Sequence, residues 1–211
     1  MNRAADNDIL IKIVCYGLVG DAINVLEPKG NRLGVLAAAR YVLKSRVERR
    51  SLSRSREAVT AEIDALFAAT EVLEPDQSEA ELAATIEAAA LRSQLALDFG
   101  ESQLCAIVIR RGLMELVSGD KRAIASLEQL STELHDLTLL AGKVRCLEQL
   151  IAAVFALHPA ETHSAICSEP HVDRALFYCF SCHGAGKGDP QAGLSSYIAS
   201  LREAAPTLLA S

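Results

Sequence analysis

Apolar positions recur at helical spacing through most of the chain. Ile9, Leu10, Ile13, Val14, Leu18, Ile23 and Leu26 predict a helical stretch behind Asp8, which stands where an N-cap belongs. Gly17 and Gly20 break or bend it. After a turn at 27–31, the continuous apolar run from Leu33 to Leu43 reads as a buried strand entering a helix. Helices are expected from Val59 to Leu73, closed by Pro75, and from Ser78 to about Leu95, with Ser78 and Glu81 as a capping box. The turn Leu97 to Ser102 opens a helix from Gln103 to Arg111, which Gly112 ends. Leu113 to Ser118 and Leu137 to Leu140 are short strand candidates. Helices follow them from Ala123 to Leu130 and from Val144 to Leu157. Short apolar strands alternating with helices predict an α/β fold, a parallel sheet with helices on both faces.

The texture changes after Pro159. Residues 158–195 hold four of the five His, three of the six Cys and a glycine-rich stretch from Gly184 to Gly193. Leu194 to Leu209 predicts one more helix. This divides the chain into a domain at 1–157 and a C-terminal extension at 158–211, a loop plus a helix.

Composition narrows the picture. Aromatics make up only 4% of the 211 residues and Trp is absent, which argues against an all-β sandwich. The net charge of −6 excludes a generally basic nucleic-acid coat but not a local basic patch. No apolar run reaches the roughly 18 residues of a membrane span, and the first residues lack a secretory pattern. With a core of this size the six Cys need not form a disulfide framework. The expectation is a cytoplasmic protein with reduced thiols and no membrane association.

Two charge patterns carry candidate chemistry. Asp6, Asp8, Asp98, Glu101 and Asp120 all stand at the ends of expected elements. Asp120 ends a strand, where ligands bind in open parallel sheets. Carboxylates that converge at one sheet edge offer hard oxygen ligands to Mg²⁺ or Mn²⁺, and such ions promote phosphodiester hydrolysis. Taken singly, each of these acids also serves as a helix cap or dipole partner. The second pattern is the one basic cluster, with Lys44, Arg46, Arg49, Arg50, Arg54 and Arg56 against Glu48 and Glu57. It fits phosphate contacts, an acidic protein partner or a solvated helix face.

Leu97-Asp98-Phe99-Gly100-Glu101-Ser102-Gln103-Leu104-Cys105-Ala106-Ile107 resembles the "LDxGExxAIAxA" segment of one branch of the PIN-domain ribonucleases. Leu116-Val117-Ser118-Gly119-Asp120-Lys121-Arg122-Ala123 is similar to that family's strand ending in an acid, "lltDDxxAR", and Ala5-Asp6-Asn7-Asp8-Ile9-Leu10 to its first motif, "DTNvL". Leu137 to Leu147 resembles the closing strand and helix, so the likeness spans about residues 4–157. It implies a three-layer α/β/α sandwich with a mainly parallel central sheet. It also implies a divalent-metal-dependent endoribonuclease, in some members a toxin paired with an antitoxin, and often a homodimer. By motif position, Asp6, Asp98, Glu101 and Asp120 would be catalytic, and Asp6, Asp8, Glu101 and Asp120 would hold the metal. Lys44, Arg46, Arg49, Arg50 and Arg54 would contact RNA or a protein partner. Lys44 and Ser45 stand where the family places a Glu, with Glu48 the nearest acid. That departure raises the alternative of a PIN-like module that binds RNA or protein without cleaving.

A second metal pattern lies in the extension. Cys167, His171, Cys179 and Cys182 supply enough ligands for structural Zn²⁺. The gap between His171 and Cys179 is short for such a site, and Leu176-Phe177-Tyr178-Cys179-Phe180 reads as buried core. Gly184 to Gly188 lacks the phosphate-loop pattern and reads as a linker.

Overall fold

A computed structural model describes residues 2–28, 31–183 and 188–211. The glycine-rich linker reading falls largely outside these residues.

Five strands form the central sheet: β1 (Arg3–Ala5), β2 (Leu33–Leu36), β3 (Thr70–Leu73), β4 (Glu115–Ser118) and β5 (Val144–Cys146). Their order is β3-β2-β1-β4-β5 and every pair is parallel. β2 and β4 are buried along their whole length; β2 is wholly apolar, whereas β4 carries Glu115 and Ser118 at its two ends. Arg3 and Arg145 flank Glu115 across three neighbouring strands, at 2.6 and 2.8 Å, so the ionic ladder compensates the charges placed in the sheet.

Alternation along the strands sends side chains to two apolar clusters. Ala5, Val35 and Val117 face one, and Ala4, Leu36 and Leu116 the other. The first is closed by α1 (Asn7–Tyr16), α2 (Val19–Leu26), α3 (Ala39–Glu48), α4 (Arg56–Ala69) and α8 (Leu147–Leu157). The second is closed by α5 (Gln77–Arg92), α6 (Phe99–Arg110) and α7 (Lys121–Leu130). The architecture is therefore a helix-rich three-layer α/β/α fold, as expected, with a wholly parallel sheet.

Residues beyond 157 add α9 (Pro159–Ser168), α10 (Arg174–Cys179) and α11 (Pro190–Ala204). They contribute to both cores. Ile166, Leu176 and Phe180 enter the first, and Leu201, Leu208 and Leu209 enter the second. The chain end also covers the outer edge of β5, where Val144 N–H donates to Leu208 O and Ala210 N–H donates to Val144 O. A sheet edge that would otherwise present free backbone groups is thereby paired.

Several local expectations are corrected. The N-cap of α1 is Asp6, not Asp8, and α5 is capped by Asp76 with Glu79 instead of Ser78 with Glu81. The end of the expected Val59–Leu73 helix is β3. Leu137–Leu140 belongs to a 3₁₀ turn, His135–Leu140, and the strand follows it at β5. The expectation of reduced thiols fails for one pair: Cys167 and Cys182 form a disulfide, their Cα atoms 5.2 Å apart. Packing of Ile166 and Phe180 in one core brings the two Cys together. The bond removes two of the four zinc ligands proposed from sequence. Cys15, Cys105, Cys146 and Cys179 are free and buried.

Candidate functional site

The chain builds β1, β2 and β3 to one side and then returns through α6 to lay β4 on the other side of β1. The crevice at the carboxyl ends of β1 and β4 is the switch point of the sheet, where open α/β folds place ligands. Asp6 follows β1 and Asp120 follows β4, so both face this crevice. Asp98 and Glu101 reach it from the start of α6, because Asp98 N-caps that helix. The two form a reciprocal capping box: Asp98 Oδ1 accepts from Glu101 N–H at 2.9 Å and Glu101 Oε2 accepts from Asp98 N–H at 2.8 Å. Asp8, in the first turn of α1, completes a set of five carboxylates lining one cavity of about 550 Å³.

Their environments differ sharply. Asp6 is 5% exposed; its Oδ1 accepts from Ile9 N–H at 2.8 Å. Its Oδ2 accepts from Ser118 Oγ at 2.7 Å and Gly119 N–H at 3.1 Å. Burial pushes the Asp6 carboxyl up to about 6 despite these donors. Burial also pushes Glu101 up to about 8, reinforced by the charges of Asp98, Asp6 and Asp120. Asp120 goes the other way. Burial opposes its charge, but Arg122 and the N–H groups of Arg122 and Ala123 outweigh it and hold the carboxyl below its usual range. Asp8 pairs at 2.5 Å with Lys12, which also reaches Asp173 at 2.9 Å.

The basic residues do not form one strip. Arg46 lines the acidic cavity, together with Arg122. Lys44, Arg49, Arg50 and Arg54 line a separate cleft between α3 and α4, as does Arg56. The turn at 49–55 is fastened to the end of α9. Glu169, 2% exposed, accepts from Ser53 and Arg54 N–H at 3.0 and 2.8 Å, and Arg50 donates to Val172 O at 3.3 Å. Sequence reasoning missed Lys12, Ser118 and Glu169, which become significant only through their partners; Ser118 stood within a quoted motif, but the acid two residues on drew the reading.

Among the described residues, no group of three or more His, Cys, Asp or Glu side chains stands close enough to hold a metal ion by itself. The donor type, carboxylate oxygen, is the one hard divalent cations take, but no preformed ligand cluster gathers it among the described residues. The cavity's described lining offers carboxylate oxygens with no thiol or imidazole, and the burial and crowding that push Glu101 up to about 8 work against its ionised, metal-binding form. Mg²⁺ commonly takes only one or two protein carboxylates and fills its shell with water and substrate phosphate.

The fold and site thus define a parallel α/β protein with an acidic cavity at its switch point. No family model, curated protein or solved structure matches the chain. No helix among the described residues is long and apolar enough to cross a membrane.

Proposed function

We propose that the chain is a PIN-like, Mg²⁺- or Mn²⁺-dependent endoribonuclease. The observation that carries this reading is the convergence on one cavity of carboxylates from the ends of β1 and β4 and the start of α6. Asp6 and Asp120 would hold the cation, with water and the RNA phosphate completing its shell, while Glu101 stands beside them and Lys12 keeps Asp8 near. When bound, the cation would supply an activated water and offset charge on the phosphodiester. Asp6 is positioned for this by Ser118 and Gly119, which orient its carboxylate and favour its ionised form. Arg46 and Arg122, on the cavity wall, would orient the RNA phosphate by charge-assisted hydrogen bonds. Arg122 would exchange its Asp120 partner, 3.2 Å away, for the phosphate.

A second reading is a PIN-like module that binds RNA or protein without cleaving, including a protein held by an antitoxin-like partner. It is favoured by the cations already placed against the acids: Lys12 on Asp8, Arg122 on Asp120, and Arg46 in the wall. Like charge beside a cation site weakens binding.

Calorimetric titration of chelator-treated protein with Mn²⁺, beside Asp120→Asn and Asp6→Asn, separates the readings. Binding lost in both variants, with single-stranded RNA cleaved only by the wild type, supports the nuclease. Binding without cleavage supports the second reading. No Mn²⁺ binding by the wild type overturns the metal assignment.

A further inference from the structure

We propose that the Cys167–Cys182 disulfide is a thiol-exchange site whose redox state governs the acidic cavity, through Asp173 and Lys12. The exchange stands on its own chemistry; the link to the cavity rests on the reading of that cavity as a cation site. The loop that the bond closes, residues 167–182, grips the rest of the chain by two carboxylates. Glu169 holds the backbone of Ser53 and Arg54. Asp173 reaches Lys12 at 2.9 Å, and Lys12 meets Asp8, on the cavity wall, at 2.5 Å. Lys12 is 8% exposed, and these two carboxylates are its ion-pair partners among the described residues. A buried ammonium depends on such partners.

Three features mark the bond as exchangeable. Both of its cysteines are half-buried, whereas the four free ones are buried. His163 Nε2 lies 3.9 Å from Cys167 Sγ, and its ring is packed against Phe180 with centroids 5.9 Å apart. A histidine so placed favours the thiolate of Cys167 and makes it the better leaving group. Ser181, next to Cys182, sits at φ +53°, a left-handed conformation disfavoured for a residue with a Cβ, and opening the loop frees the turn to leave it.

A dithiol reductant supplies the electrons. Its thiolate attacks Cys182 Sγ, the S–S bond breaks, and Cys167 leaves with the bonding pair. The proton given up by the attacking thiol returns to Cys167 by way of His163. The second thiol then attacks its neighbour's sulfur in the mixed disulfide, closing the reductant's own disulfide and releasing Cys182, which takes the second proton. With the loop open, Asp173 leaves Lys12 more often. The ammonium then bears on Asp8 alone, and the added positive charge at the wall opposes a cation in the cavity.

The test compares the full chain oxidised and after treatment with millimolar dithiothreitol, the reductant being removed under nitrogen. Iodoacetamide alkylation reads the state of Cys167 and Cys182 in the native chain. Reductive methylation followed by peptide mass spectrometry reads Lys12, with Lys143, just before β5, as the reference, and calorimetry reads Mn²⁺ binding. Reduction without denaturant is expected, with Lys12 methylated about threefold faster, Lys143 unchanged and Mn²⁺ held about threefold more weakly. Cys167→Ser with Cys182→Ser should reproduce these values and ignore dithiothreitol, and Asp173→Asn should reproduce them in the oxidised chain. Asparagine still caps α10, so that variant keeps its fold; circular dichroism checks this. The proposal is overturned if the bond opens only in denaturant, if Lys12 keeps its rate or Lys143 accelerates with it, or if Mn²⁺ affinity is the same in both states. Those failures leave the cation reading standing, whereas absence of Mn²⁺ binding in both states overturns that reading and the link to the cavity with it.

Discussion

Asp6 Oδ2 accepts a hydrogen bond from Ser118 Oγ at 2.7 Å, and this contact ties the carboxyl ends of β1 and β4 together at the switch point. Ser118 is 4% exposed, so no solvent replaces its hydroxyl. Ser118→Ala leaves Oδ2 with only Gly119 N–H. The expected cost is about 1–2 kcal/mol of stability near pH 7, where Asp6 is ionised, read from urea unfolding. The carboxyl of Asp6 should also rise above its present value of about 6, moving any activity that needs the ionised form to higher pH. Stability equal to wild type would mean the bond does not hold the site.

Glu101 makes stability depend on pH in a stated direction. Its carboxyl sits at about 8 in the folded chain against 4.5 usually. Between those values the unfolded chain has released the proton and the folded chain still binds it, so rising pH favours unfolding. Asp6 adds the same trend between 3.8 and about 6. The thermal midpoint should therefore contain a component that falls from about pH 5 to pH 8, and Glu101→Gln should flatten its upper part. Divalent cations bind the ionised form, so Mn²⁺ should raise the midpoint more at pH 8 than at pH 6. A midpoint whose pH dependence is the same in wild type and Glu101→Gln would rule out this titration.

Gly119 lies against the Asp8 carboxylate so closely that a Cβ there would collide with Oδ2. Gly119→Ala should push the flexible Asp8 carboxylate off Lys12 and destabilise the fold by about 0.5–1 kcal/mol. Asp8→Ala opens the space. In a double-mutant cycle the second substitution should then offset part of the cost of the first, giving a coupling of at least about 0.5 kcal/mol. Strict additivity would show that the collision is relieved elsewhere.

The acids were legible from sequence because each stands near an element end, although capping patterns placed two of those ends two residues late, at Asp8 for Asp6 and at Ser78 for Asp76. Asp98 and Glu101 were the most legible, since the spacing that places them in a cavity is also a capping box. β1 was scarcely legible. Arg3-Ala4-Ala5 is short and small, and forms a strand because β2 and β4 flank it on both sides. β3 was read as helix because Leu66 and Leu73 keep apolar spacing across the helix end. β5 was displaced to Leu137–Leu140 because Arg145 interrupts its apolar pattern, and only the fold supplies the Glu115 partner that permits it. The basic run misled for a geometric reason. Positions 44 and 46 of one helix point roughly 160° apart, so Lys44 and Arg46 serve different cavities.

The Cys167–Cys182 bond reaches the basic cleft through one short segment. It joins the last turn of α9 to the turn after α10 across 15 residues, and Glu169, two positions beyond Cys167, holds the backbone of Ser53 and Arg54. A closed loop of that length restricts the unfolded chain by about 3 kcal/mol in the chain-entropy account. Dithiothreitol, or Cys167→Ser with Cys182→Ser, should therefore lower stability by about 2–3 kcal/mol in denaturant titrations. The local consequence is more telling than the global one. With α9 less firmly held, the Glu169 carboxylate should leave Ser53 and Arg54 more often. Their amides should exchange with deuterium faster on reduction, while the amides of β2, at the far side of the first core, should change only as much as global stability does. Equal acceleration at both places would mean the bond stabilises the whole fold and has no particular hold on the cleft.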